Sequence, residues 1–412
     1  MSGSLQPVPL ATLLPTTRAS SGWVFNAAGA LEAIGANIPR LDHDPATLAV
    51  RGVLIESERR NDIRNPRCEG AVAGTPGTAP TNWATFPAGG VVFNIVGSGT
   101  EAGIPYVDIR LSGTSTTGVQ PLLRADQTYP TAAQNEVWTH SAFVRLVAGS
   151  LAGITNLAMF VTEWTAANAF VTLGSTNFTA ITGGAMSGGR ISHTRTLTGA
   201  TTGRAGTQMG WTPQIGVAID ATFRIGAPQL ELGAFASTPI LPPAGAPAVS
   251  TRNRDVIART LTASEWDGAG AFFIAEGIVT AQSGNRSLVV FDNGTTSNQI
   301  RIVILANSNT VRLSLIAGGV VTSVDMGSLT LGQPFRVAVR CVGGAFQGSL
   351  NGAAPVSNAS AFPTGINTVR LGRFETGSNN MLDGHVRLLV LDRGIRSGAS
   401  LQALSTVGAA YF

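Results

Sequence analysis

The side chains able to do chemistry are few and scattered. His43, His140, His193 and His385 stand far apart and share no motif. No His-Glu-x-x-His and no Cys-x-x-Cys pair occurs, so the spacing that gathers zinc ligands is missing. There is no Gly-x-Ser-x-Gly elbow and no phosphate loop; Gly183-Gly184 and Gly188-Gly189 precede no helix and read as turns. Glycan hydrolysis needs two carboxylates about 5 to 9.5 Å apart. Glu136, Glu163, Glu231 and Glu276 are isolated acids that only the fold could bring together. Asp383 and His385, two apart on an expected strand, would share a face and could hydrogen-bond. His140 shares a strand face with Trp138 and Ala142, where a satisfied core histidine is the plain reading. These residues point away from an enzyme and call for no cofactor or resident metal.

Binding chemistry is better represented. Trp83, Trp164 and Trp211 fall in or beside expected loops. An indole offers a flat apolar face and one donor, which suits stacking on a sugar ring and equally suits a core or interface plug. Arg204 and Gln208 lie near Trp211 and could hydrogen-bond hydroxyls or a uronate. Further on, Arg373, Asn380 and Asp383 frame a polar rim with the loop from Glu375. Its oxygens could hold Ca²⁺ or simply meet water.

The elements that would carry these residues read as strands. The chain has 412 residues, 50 of them Gly, with only 12% charged, a composition of β-structure with many tight turns. Short apolar runs recur between Gly/Ser/Thr turns: Trp23 to Asn26, Val50 to Ile55, Val91 to Val96, Tyr106 to Leu111, Val137 to Val144, Leu157 to Val161 and Ile215 to Ile219. Alternation is clearest later, with Ile300, Ile302 and Ile304, then Val311, Leu313 and Leu315, then Phe335, Val337, Val339 and Cys341 on one face. Asn351-Gly352 is a type I′ turn signal. Leu31 to Ile34 and Ala399 to Leu404 are the only short helical candidates. Pro239, Pro242, Pro243 and Pro247 mark a semi-rigid spacer. The resulting division is an extended N-terminal arm over 1–60, a β-sandwich over 61–240, a Pro-rich linker over 241–250 and a second β-sandwich over 251–412. The arm has apolar residues but too little chain to bury them alone, so it is expected to pack on a neighbouring subunit.

The net charge is +4, and every basic residue is Arg. That follows from GC-rich codons, or from use of bidentate anion contacts. The arginines form no stripe, so no nucleic-acid partner is expected. Cys68 and Cys341 leave one disulfide open and rule out a disulfide framework. No apolar run is long enough to span a bilayer and no charged-then-apolar leader opens the chain, so folding in a cytoplasm without membrane insertion is expected.

One stretch is too polar and too punctuated for ordinary core: Pro39-Arg40-Leu41-Asp42-His43-Asp44-Pro45, then Arg51-Gly52-Val53-Leu54-Ile55-Glu56 and Arg60-Asn61. It resembles the "P-R-x-D-x-D-P … R-G-x-L-I-E-x-x-R-T-N" signature of bacteriophage and gene-transfer-agent virion proteins. These are head spikes, head fibres or tail-fibre-like adhesins. The resemblance extends upstream to Thr17-Arg18-Ala19-Ser20. It returns at Ala227-Pro228-Gln229-Leu230-Glu231-Leu232-Gly233 through Thr238-Pro239-Ile240, similar to "A-Q-L-E-x-G-x-x-x-T-x-Y-I-P". Ser57-Glu58-Arg59-Arg60 departs from the family pattern. The middle region resembles the jelly-roll carbohydrate-binding module of that family. Phe346 to Gly352, Leu371-Gly372-Arg373 and Met381 to Val390 resemble the closing strands of laminin-G and concanavalin-like domains.

The resemblance implies a structural virion protein on the particle surface, assembled in a bacterial cytoplasm, that attaches to host surface polysaccharide. It also implies anchoring to a capsid or other virion protein through the arm, with Arg18, Arg40, Arg51 and Glu56 as its marked residues. A homo-oligomer, trimer or pentamer, would multiply a weak sugar site. The alternatives are a tail-fibre or capsid-decoration protein with a purely structural role and, further off, a glycan-depolymerase spike.

Overall fold

A computed structural model describes residues 10–181, 183–263, 265–266, 268, 270–280, 284–342, 344–374, 381–392 and 397–409. The expected all-β class holds. Among these residues the helical segments are Leu10–Leu13, Ser400–Leu404 and the 3₁₀ turn Met186–Gly188. Leu31–Ile34 is a strand rather than a helix, paired with Gly22–Phe25. Pairing with Gly22–Phe25 buries Leu31, and such packing overrides a weak local helical preference.

The first sandwich packs two five-stranded sheets. One runs Phe170–Phe178, Ile154–Trp164, Arg204–Pro213, Leu122–Arg124, Ala84–Phe86. The other runs Arg190–Thr196, Val137–Gly149, Ala218–Leu232, Ile104–Thr114, Val91–Glu101. Alternation sends Leu157, Met159 and Val161 inward against Ile109, Phe223 and Ile225. The run expected at Ile215 starts as a strand only at Ala218, and Ile215 is exposed.

The second sandwich has two seven-stranded sheets. The first is Thr16–Thr17, Val256–Thr260, Thr368–Leu371, Arg286–Asp292, Gln299–Ile304, Thr310–Ala317, Val320–Ser328. Its partner is Val356–Ala359, Ala345–Leu350, Pro334–Val342, Gly270–Val279, Gly384–Asp392, Val50–Ile55, Arg40–His43. Ile300, Ile302, Ile304, Phe335, Val337 and Val339 meet in one core. Asn351 and Gly352 have φ of 51° and 79°, the left-handed pair a type I′ turn requires.

The N-terminal arm is therefore not separate from the domains. Thr16–Thr17 pairs with Val256 and Ile257 at the edge of one seven-stranded sheet. Val50–Ile55 adds to Gly384–Asp392 in the other, and its Val53 and Ile55 join the core. The Pro-rich stretch is tied down as well: Arg67 donates to the Pro242 carbonyl at 2.5 Å and the Gly245 amide to Glu69 at 2.8 Å. Ser250–Arg252 then pairs with Arg59–Asn61.

The two stretches that carry the virion-protein resemblance converge between the sandwiches. Asp255 accepts from Arg18 at 2.8 Å, from Arg40 and from the Glu56 amide at 3.0 Å. Glu56 accepts from the Thr238 amide and hydroxyl and pairs with Arg40 at 2.8 Å and Arg252 at 3.0 Å. Burial pushes the Glu56 carboxyl up, but Arg252 and Arg40 outweigh it and hold the group below the usual carboxylate range. Asn61 bonds the Pro228 and Ile240 carbonyls and the Leu230 amide, while Glu231 holds Ser237. Arg18, Arg40 and Glu56 are thus buried joints rather than an anchoring surface. Charges this deep persist only when paired. Arg51 is the exception: partly exposed, it pairs with Asp44 at 2.5 Å.

Candidate functional site

The outer face of the sheet running from Phe170–Phe178 to Ala84–Phe86 is the candidate site. Because Met159, Val161, Ala205, Met209 and Leu123 point inward, Phe160, Thr162 and Trp164 point outward, as do Arg204, Gly206, Gln208, Gly210 and Arg124. Cross-strand register sets Trp164 opposite Arg204, Thr162 opposite Gly206 and Phe160 opposite Gln208. Trp164 also lies opposite Phe170, and Leu122 opposite Phe86. The face spans four strand spacings, ~19 Å.

Two glycines let rings lie flat on this backbone. A Cβ at Gly206 would sit 2.9 Å from the Tyr129 ring and 3.0 Å from the Trp164 nitrogen. One at Gly210 would meet Leu122 at 2.8 Å and Phe160 at 3.1 Å. Tyr129 stacks on Trp164 with centroids 4.9 Å apart, and Phe170 meets Trp164 edge-on at 5.4 Å. The Arg124 guanidinium lies 4.6 Å from the Phe86 centroid and 5.4 Å from that of Trp164. Arg204 donates from Nε to the Ala166 carbonyl at 3.1 Å and from Nη1 to Tyr129 at 3.0 Å. The Trp164 indole donates to Thr162 at 2.8 Å. At one end, Gln120 donates to Thr212, which donates to Asn156. Phe170 is 55% exposed and Phe86 38%, so apolar rings face solvent on both flanks of the guanidinia. Each ring or cation contact stabilises its geometry by ~0.5–1.5 kcal/mol, enough to set the side chains before a ligand arrives.

This face unites Trp164, Arg204 and Gln208, although Gln208 is buried within it. Phe86, Arg124, Tyr129 and Phe170 belong to it and escaped the sequence reading. The spacing of Leu122 and Arg124, two apart on a short strand, was the available signal. Trp211 lies elsewhere. Fully buried, it packs between Phe93 at 5.6 Å and Phe223 at 5.5 Å on the inner face. Trp83 is also core, its indole bonded to the Asn65 carbonyl at 3.1 Å. Neither can stack on a sugar.

The terminal rim is corrected too. Asp383 is buried, accepts from the Ser57 amide and hydroxyl at 2.7 and 2.9 Å, and pairs with Arg286. Arg373 is buried and donates to the Phe374 carbonyl. Asn380 and the loop from Glu375 lie outside the described residues. His385 bonds Asp42 at 2.8 Å rather than Asp383, which precedes the strand with φ of 44°. Among the described residues no group of three or more His, Cys, Asp or Glu is placed to hold a metal.

The isolated acids are engaged separately. Glu136 takes the Trp138 indole, Glu163 takes Arg195, Thr198, Gly199 and Thr202, and Glu276 takes Arg336 and Arg387 in the other sandwich. Cys68 and Cys341 are free thiols buried in different cores.

No family model and no curated protein matches the chain. Solved structures with partial likeness include the CBM40 of the Ruminococcus gnavus IT-sialidase bound to alpha2,3 sialyllactose. It is 17% identical over 33% of this chain and 83% of that one, with TM-score 0.30. Mouse laminin alpha1 domains LG4-5 are 14% identical over 68% and 87%, with TM-score 0.27. The CBM22-1-CBM22-2 tandem of Paenibacillus barcinonensis Xyn10C is 10% identical over 79% and 99%, with TM-score 0.22.

Proposed function

We propose that this chain is a non-enzymatic glycan-binding virion protein, a head-spike or head-fibre subunit that attaches a particle to host surface polysaccharide. The observation that carries the binding reading is the outer face with Phe86, Arg124, Trp164, Phe170 and Arg204 on adjoining strands. Aromatic rings and pre-placed donors on a rigid sheet suit a hydrated, ring-shaped ligand. None of the residues placed on this face is a carboxylate, which favours holding a glycan over cleaving it. The virion reading rests on the resemblance of Pro39 to Asn61 and Ala227 to Ile240.

Attachment to the particle moves from the buried arginines to the surface they support. Ile38, Leu41, Leu48 and Val50 are all exposed there, beside a groove of ≈ 630 Å³ lined by Leu13, Leu41, Val50 and Leu389 among others. An exposed apolar patch of this kind marks a protein contact. A trimer or pentamer would then multiply a weak site by ~10²–10⁴.

The test is binding of the purified protein to immobilised host polysaccharide. Phe170→Ala and Trp164→Ala should each weaken it about 5- to 30-fold, the loss of ~1–2 kcal/mol of ring contact, with Phe170→Ala still showing a cooperative melting transition. Unaltered binding in both would sink the site, and shortened polysaccharide would sink the non-enzymatic reading. Labelled electron micrographs test the location: particles without this chain on their surface would overturn the virion reading.

A further inference from the structure

We infer that the ligand of this outer face is an acidic polysaccharide, one whose sugar rings carry carboxylates, and that Arg204 is the residue that selects for the acid. The inference rests on the glycan-binding reading and names its substrate class. Many of the chain's guanidinia are neutralised by carboxylates: Arg110 with Asp220, Arg195 with Glu163, Arg224 with Asp108 and Glu101, Arg312 with Asp325. Several of these pairs are half in water, so pairing is not confined to the interior. Arg204 differs. Its two hydrogen bonds end on neutral carbonyls, Ala166 and Tyr129, and among the described residues it has no acidic partner. Those bonds use Nε and Nη1, hold the guanidinium against the sheet, and leave the Nη2 donors for something else.

The surroundings raise the value of that charge. Arg204 is half-buried opposite Trp164. Arg124 adds a second positive charge on the same face, set against the Phe86 and Trp164 rings. Thr162 and Gln208, buried within the face, and Thr212, Asn156, Ser175 and Asn177 on it add polar groups but no negative charge. A cation beside apolar rings, with its own side chain already fixed, gains more from a carboxylate than from a hydroxyl, because the charged hydrogen bond is about twice as strong. Guanidinium geometry also matches a planar carboxylate. Neutral glycans would still stack on the rings. The arginine decides between acid and neutral forms.

The probes are polygalacturonate, alginate and colominic acid, each beside its carboxyl-reduced neutral form, with dextran sulfate as a charge control, all at 0.15 M salt. The full-length protein should bind at least one acid polymer about tenfold or more tighter than its reduced form, the worth of one charge-assisted hydrogen bond. Arg204→Gln should remove that preference, costing the acid polymer about tenfold more affinity than it costs the reduced form. Arg204→Lys, which keeps the charge and loses the fork, should retain part of it. Thermal melts of both variants separate a lost contact from a lost fold. Acid and reduced forms binding equally would overturn the acidic-ligand inference and leave glycan binding intact. So would a preference that survives in a folded Arg204→Gln, or dextran sulfate binding as tightly as the acid polymers. Binding to none of the polymers, acid or neutral, would overturn the glycan reading itself.

Discussion

His140 shows how a titratable residue can be structural. Its Nδ1 bonds the Phe160 carbonyl at 3.1 Å and so links the inner surfaces of the two sheets of the first sandwich. Burial holds its pKa down to about 3. His193, its cross-strand neighbour, is shifted down as well, by burial and then by Arg195. The folded chain therefore refuses a proton that the unfolded chain accepts below its ordinary value of 6.5. The His140 contribution to stability should fall as pH drops from about 6.5 towards 3 and level off below that. For His140 alone the slope is about 1.4 kcal/mol per pH unit. Denaturant unfolding across this range should show a shallower slope in His140→Gln than in the unaltered protein; equal slopes would mean that His140 is not the group responsible. The same scale explains why the tryptophans were hard to rank from sequence. Trp164 and Trp211 both sit near turn-forming residues, yet one has an even and one an odd place in its strand. A shift of one residue separates the outer face from the core, and turn chemistry does not report that parity.

At the scale of elements, strands were far easier to read than their partners. Val50–Ile55 was legible to the residue, because its β-branched and apolar residues Val50, Val53, Leu54 and Ile55 stop at Glu56-Ser57. That it would pair with a strand near the other end of the chain was not, since alternation specifies which face is buried and says nothing about what covers it. The arm was accordingly expected to pack on a neighbouring subunit. With Val53 and Ile55 in the second core and Arg40–His43 outside them, removal of residues 1–60 should instead strip two strands from a seven-stranded sheet. The truncated protein should keep a protease-resistant first sandwich and lose that of the second. Two resistant fragments of full domain size would contradict this. The candidate face was partly legible for a similar reason. Trp164, Arg204 and Gln208 lie on the two long strands, Ile154–Trp164 and Arg204–Pro213, whereas Arg124 and Phe86 come from strands of three residues that alternation hardly marks.

For the whole molecule, the joint made by Arg18, Arg40, Glu56, Arg252 and Asp255 couples the sandwiches. Glu56→Gln would leave Arg40 and Arg252 short of one buried negative charge, a change that costs about 3–5 kcal/mol in comparable settings. Melting temperature should fall, and amide exchange should rise in residues 16–56 and 237–255 while the first sandwich stays protected; unchanged exchange in those segments would show that the joint does not couple the two bodies. The pairing of both chain ends also sets a clock. Ser57 bonds Asp383, 326 positions later. At about 5–20 residues per second a ribosome takes about 15–65 s to cover that distance. The first sandwich can fold during the wait, and Gly22–Phe25 can pair with Leu31–Ile34, but Val50–Ile55 must wait for Gly384–Asp392 with Val53 and Ile55 open to wrong partners. A transcript cut short before residue 384 would release a chain whose first half is finished and whose opening strands never close, so quality control has a simple way to recognise it.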